Sequence, residues 1–307
     1  MLKPKNPRVS ALRRFAVSIT GLTIVGHLFL GFEQSWLQAV VAVGASHLLT
    51  IGLELADAWG HRRRPQFLGG IDSFVTFLLP AHISGMAIGL LLYPGSRLWP
   101  FVFAASISVG TKYLFRAPVK GRMRHVMNPS NLAIAIILSV FPWVGVGLPY
   151  MFTENVSGVL YWIVPGALLA AGLMLNLTLT GKGPLVAAWL GGFALQAVIR
   201  HFTSGIALPA ALAPMTGTAF VLFTNYMITD PGTTPVRSRN QVVFALTAAA
   251  AYAVMIQLHF VYGLFYCVIV SCLLRGAVLW YVAVAEARSR REPAARALPR
   301  ARSELAA

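Results

Sequence analysis

The sequence predicts an all-α fold, a polytopic membrane protein of about ten transmembrane helices. Three observations carry that expectation. Hydrophobic residues fill 57% of the 307 positions and charged residues 11%, where a soluble domain carries about 25% charged residues, so the chain has too little polar surface to face water. Its apolar residues fall in continuous runs of roughly twenty, the length that crosses a ~30 Å hydrocarbon core as a helix, not in the short alternating segments of an outer-membrane barrel. Lys and Arg gather in every second connection between those runs, the pattern that the positive-inside bias gives an even number of spans.

In chain order the runs cover residues 15–31, 36–56, 73–93, 98–115, 129–149, 158–178, 184–204, 207–228, 241–258 and 260–283. Lys3, Lys5, Arg8, Arg13 and Arg14 precede the first; Arg62, Arg63 and Arg64 follow the second; Lys112, Arg116, Lys120, Arg122 and Arg124 follow the fourth. Lys182 follows the sixth, Arg237 and Arg239 the eighth, and Arg288, Arg290 and Arg291 the tenth. The alternate connections hold little beyond Arg97, Glu154, Arg200 and His201. Both termini are therefore expected on the cytoplasmic side of an inner or plasma membrane that the chain crosses many times. The expected parts are a basic N-terminus at 1–14, one transmembrane domain at 15–285, and a basic cytoplasmic tail at 286–307 whose Ala/Arg/Pro-rich composition predicts disorder. No convincing cleavage motif follows the N-terminal basic residues, which read as an anchor before the first span.

The formal charge of +16 would suit nucleic acid, but its blocks lie between apolar runs and at the termini, so the lipid bilayer, not nucleic acid, is the expected partner. Cys267 and Cys272 have no metal or redox spacing and read as small packing residues. There is no nucleophile elbow, phosphate-binding GKS/T loop, zinc-spaced His/Cys group or dinucleotide fingerprint in a strand-to-helix context. The sequence thus gives no support to a self-contained hydrolase or ATPase.

Two polar stretches stand at the mouths of apolar runs, RHVMNPSNLAIAI around residue 128 and NYMITDPGTTPVRSRN around residue 230. An Asn before Pro resists the helical conformation, which makes Asn128 an N-cap and Pro129 the first helical residue. In TDPGTTP two prolines remove backbone donors and Gly232 permits a tight turn, so carbonyls, hydroxyls and the Asp230 carboxylate collect together. Helix punctuation alone would explain both stretches; equally, converging helix N-termini would form an anion or cofactor pocket. Composition does not choose between these.

Histidines His27, His47 and His82 fall at similar depth in the first three spans, where they would either ligate a haem iron or hydrogen-bond across helix interfaces. Glu54 and Asp57, one turn apart beside Arg62 to Arg64, read as an interfacial charge cluster. Lys112, closing the fourth span, is placed to snorkel to the surface.

The succession IDSFVTFLLP, GTKYLF, HVMNPSNLAIAI, LTLTGKGPL and TNYMITDPGTTPV resembles the NqrB/RnfD family, membrane subunits of ion-translocating, flavin-containing electron-transport complexes. The likeness runs from about Asp72 to about Gln241 and rests on motif order as well as type. Within that family the short form, basic ends and Ala/Arg-rich composition look most like the UnbU-type proteins encoded beside enediyne polyketide synthases. The resemblance implies an inverted repeat of five and five helices, similar to urea-channel architecture, a flavin held between helices, and other membrane or biosynthetic subunits as partners. The family attaches its flavin mononucleotide to a threonine of a Ser-Gly-Ala-Thr motif; here Thr180-Gly181-Lys182-Gly183 stands in that place, and Gly183 has no hydroxyl to carry a phosphoester. Covalent flavinylation there is chemically impossible. A non-covalent FMN or riboflavin, its phosphate against Lys182 and the glycine turn, and a lost redox role both remain open.

Asn128, Thr180, Gly181, Lys182, Asp230, Thr233 and Thr234 are the residues expected to line the principal polar site. Functions from three classes fit: an electron-transport subunit, which on the resemblance would serve enediyne biosynthesis, a transporter or permease for a small molecule or biosynthetic product, and a membrane scaffold.

Overall fold

The computed structural model describes residues 7–119 and 122–304; Lys3, Lys5 and Lys120 of the basic segments lie outside the described residues. The chain is almost entirely helical. In order come α1 (Pro7–Phe29), α2 (Trp36–Gly60), α3 (Ile71–Leu91), α4 (Trp99–Leu114), strands β1 (Arg116–Val119) and β2 (Arg122–His125), α5 (Pro129–Val140), α6 (Leu148–Glu154), α7 (Leu160–Met174), α8 (Gly183–Ser204), α9 (Leu208–Leu212), α10 (Thr218–Leu222), α11 (Ser238–Gln257) and α12 (Gly263–Glu304).

Among the described residues seven helices are long and apolar enough to cross a membrane: α1 to α3, α7 with the turn that extends it to Leu179, α8, α11 and α12. Their outward faces are apolar as well, with Phe29, Leu48, Trp59, Trp162, Phe202 and Tyr281 all strongly exposed, an arrangement that only a hydrocarbon solvent makes favourable. This is an integral, multi-pass membrane protein.

The remaining three apolar runs take other forms, and the prolines and glycines explain why. The run at 98–115 becomes α4, 16 residues long, followed at once by the β1–β2 hairpin that pairs Arg116 with His125 and Ala117 with Arg124. The run at 129–149 is helical for only 12 residues, because Pro142, Gly145, Gly147 and Pro149 cluster beyond it. The run at 207–228 is broken: α9 passes into a 3₁₀ turn at Ala213–Thr216, then α10, then a π turn at Phe223–Met227, with Pro214 and Gly217 at the joints. At the other end of the chain α12 stays helical through residues 286–304, where composition predicts disorder; Ala and Arg, which dominate there, are strong helix formers.

Most helix packing joins elements of the same half of the chain. α2 lies against α3 and α4, α4 against α5, and α1 against α3. Later, α8 lies against α11, α11 against α12, and α7 against α10. α12 also contacts α5 and β1, and the Trp280 indole N–H donates to the Arg116 carbonyl at 2.9 Å, tying the hairpin to α12. Small residues set the closest crossings, as expected where lipid supplies no hydrophobic drive between helices. A Cβ on Gly85 of α3 would come within 2.8 Å of the Val43 Cα of α2. Arg63 folds back on the end of α2, donating to both Glu54 oxygens (2.6 and 3.1 Å) and to Asp57, so the carboxylates of that predicted cluster form an ion-paired helix terminus. Arg13 makes the corresponding tie from α1 to Asp72 on α3.

Candidate functional site

Two helices that approach the centre of the molecule end in π turns, and the asparagines within those turns meet. α7 passes into the π turn Leu175–Leu179 and the broken segment ends in the π turn Phe223–Met227. A π turn inserts an extra residue and so re-aims the side chains it carries. Asn176 Nδ2 donates to the Asn225 carbonyl at 2.8 Å and to the Gly172 carbonyl at 2.9 Å. Asn225 Nδ2 in turn donates to Val221 O at 2.9 Å. Both asparagines are buried, and Gly172 is what lets them close, since a Cβ there would meet the Asn225 side chain at 2.4 Å. Carbonyls freed by the wide turns thus find side-chain donors instead of lipid.

The loops that follow these turns interlock. After the first, Gly181 adopts a left-handed φ of 61° and the chain turns into α8. The Lys182 ammonium then reaches the second loop, donating to the Pro235 carbonyl at 2.7 Å, while Gln241 Nε2 on α11 donates to the Gly181 and Val236 carbonyls at 3.0 and 3.1 Å. Within the second loop Asp230 accepts from the Gly232 N–H (3.2 Å) and the Thr233 hydroxyl (2.7 Å), and the Thr234 hydroxyl donates to the Asp230 carbonyl at 2.6 Å. Arg275, inside α12, donates to the Thr233 carbonyl at 2.6 Å. Asn128 completes the junction: its Oδ1 accepts from the Asn131 N–H, capping α5, and its Nδ2 donates to the Met227 carbonyl at 3.2 Å. Burial pushes the Lys182 ammonium down to about 8, with nearby Asp230 opposing and Arg275 adding to that shift.

Beside this junction lies a cavity of about 960 Å³ between α1, α3, the broken segment and the start of α12. Its wall is mostly apolar and aromatic, including Phe15, Ile83, Phe220, Phe223, Tyr252 and Phe265. One end is polar, where Lys112, His125, Asn128, Ser130 and Asp230 line it. A Cβ on Gly232 would sit 3.0 Å from His125 Nε2, which places the imidazole against the Asp230 loop. The far end is bounded by Gly145, Phe152, Pro214 and Val261.

Of the seven residues expected at the site, Asn128 and Asp230 line the large cavity, and Thr180 and Asp230 line a small adjoining pocket of about 20 Å³. Gly181, Lys182, Thr233 and Thr234 are brought into the same junction, where they brace loops instead of facing the large cavity. Sequence reasoning singled out neither Asn176, Asn225 nor Arg275, and it left Lys112 outside the seven, as a snorkelling residue whose place in GTKYLF made it a better functional bet than the other lysines. A signal existed for Arg275, since a lone cation inside an apolar run is costly unless partnered. The three histidines separate: the His47 and His82 rings stack at 5.6 Å, with His82 Nε2 sharing a hydrogen bond with the Thr20 hydroxyl at 2.8 Å. His27 instead bonds the Thr23 and Gln34 carbonyls and stacks on Trp36.

The turn at 180–183 does not fit a flavin phosphate. Its one cation is spent on the Pro235 carbonyl, the Lys182 N–H is taken by the Asn176 carbonyl at 2.8 Å, and the Thr180 hydroxyl bonds back to Asn176 and Leu175. No protein-family model matches this chain, and comparison with curated proteins finds no match.

Proposed function

We propose that the chain is a membrane carrier of RnfD/NqrB-like architecture that holds one largely apolar small molecule in its central cavity. The cavity carries this proposal. A void of about 960 Å³ with a mostly hydrophobic wall and a few polar groups at one end has the size and make-up of small-molecule sites. It is also bordered by a discontinuous helix, as in transporters. The ten-segment, five-and-five plan is supported by the order of packing. The contacts of α2 with α4 and α4 with α5 recur as those of α8 with α11 and α11 with α12, and α1 on α3 recurs as α7 on α10. In this plan α4, α5 and the broken segment are the three short members, and the basic connections face the cytoplasm. On the resemblance, a product or intermediate of enediyne biosynthesis is the cargo to try first.

An electron-transfer role is the second proposal, favoured by the aromatic wall of the same cavity, which suits a planar ring. The flavin would there be held non-covalently and without a phosphate anchor at residues 180–183.

An absorption spectrum of the purified protein separates the two: flavin bands support electron transfer, and a colourless protein supports carriage. In vesicles the colourless protein should speed the passage of a fluorescent apolar dye. Filling the cavity by Ala87→Trp or Ala219→Trp should reduce dye binding about tenfold, a loss of about 1.4 kcal/mol. If both filled variants bind and pass the dye as the unaltered protein does, the cavity is not the site.

A further inference from the structure

We infer that the cavity is selective for an amphipathic anion, whose acidic head rests on Lys112 while its apolar body fills the aromatic chamber; this rests on the small-molecule carrier assigned above. Three cations surround the polar end, Lys112 in its wall and Lys182 and Arg275 directly behind the Asp230 loop, and among the described residues Asp230 is the one carboxylate in that wall. Asp230 does not neutralise them by contact. Its oxygens accept from Gly232 and Thr233 within its own loop, and Lys182 and Arg275 point their donors at carbonyls. Among the described residues the Lys112 ammonium makes no hydrogen bond and no ion pair, yet it borders the cavity. The nearby Asp230 carboxylate attracts the Lys112 ammonium without bonding to it, so a buried cation facing an apolar chamber stays costly, and an entering anion would lower that cost. Neutral and cationic amphiphiles would not. Asn128 and Ser130 line the same end, where the Ser130 hydroxyl donates to Asn128 Oδ1 at 3.2 Å, and His125 lies against the Asp230 loop. The chamber behind them offers chiefly hydrophobic contact, which excludes small hydrophilic anions.

The test uses the whole protein in nanodiscs of neutral phosphatidylcholine, with dansylaminoundecanoic acid and its methyl ester as probes. The acid should bind at least about tenfold more tightly than the ester. Lys112→Met should abolish that preference while leaving ester binding intact, and Lys112→Arg should retain it. Retained ester binding also shows that the Lys112→Met protein is folded. Adding phosphatidylglycerol identifies the source of the anion: competition with the acid supports an anionic lipid, and no competition supports a free amphiphilic acid. Equal binding of acid and ester, or a preference that survives Lys112→Met, overturns the anion site and leaves the carrier standing. Binding of neither probe overturns both.

Discussion

Lys182 shows how far a residue's bonding partners can lie from anything its local sequence suggests. As a loop cation beside a glycine turn it has the chemistry to hold a phosphate, and its position among the site residues follows from that. Its actual partners, the carbonyls of Thr234 and Pro235, lie 52 and 53 residues further along the chain, and no local pattern announces them. The consequence is measurable. Its value in the folded protein is about 8 against an ordinary 10.5, so between those limits the unfolded chain holds a proton that the folded protein has released. Stability must therefore rise as pH increases from about 8 towards 10.5. The melting temperature of the detergent-solubilised protein should climb across that window. A Lys182→Met protein should lack this part of the climb, and an identical pH profile for the two would show that the buried amine is not responsible. Asn128 is the opposite case: its cap on α5 was legible because Asn followed by Pro specifies the backbone locally, whereas its second bond, to Met227, required the fold.

At the level of elements, the long uninterrupted helices were legible and the broken ones were not. Residues 36–56 and 184–204 became α2 and α8 because nothing in them opposes a helix and lipid demands internally paired backbone. Residues 207–228 have the same hydropathy yet bend three times, since Pro214 and Gly217 permit the bend and only the surrounding helices determine its direction. Arg116, Arg122 and Arg124 were read as charge, but lie on paired strands whose register charge does not encode. Close crossings are likewise a property of pairs of elements. Gly85→Ala would drive a methyl group into the α2 backbone near Val43 and Ala42, and backbone cannot step aside as a side chain can. A loss of about 1–3 kcal/mol is expected, read as a lower melting temperature in detergent. Gly21→Ala, which meets nothing within 4 Å, should leave stability unchanged or raise it by about 0.5–1 kcal/mol, the helical advantage of Ala over Gly. If the two variants behave alike, the α2–α3 crossing is not limited by that glycine.

For the whole molecule the decisive quantity is how charge is distributed relative to the bilayer. Basic blocks alternate with nearly uncharged connections along the chain, so reporter fusions after Arg64, after Arg124 and after Arg239 should all report the cytoplasm. Fusions after Gly95 and Glu154 should report the opposite side. A reporter placing Arg64 and Gly95 on the same side would remove α3 from the set of spans. The cavity also belongs to this scale. Its wall draws on α1, α3, the broken segment and α12, and none of these carries a motif for it.

The amino-acid sequence alone determined the solvent of this protein, its helical class and the local turns that carry its polar residues, because hydropathy, charge alternation and proline-linked capping act over one or two turns of chain. Only the tertiary structure decided which polar groups brace the loops and which face open space. It left Lys112 without a hydrogen bond or ion pair among the described residues and gave Lys182 its partners, a division that depends on contacts between segments 50 or more residues apart. The physical reason is that backbone satisfaction in lipid is a local requirement on each helix, whereas the pairing of a buried charge is settled only by what the other helices bring to it.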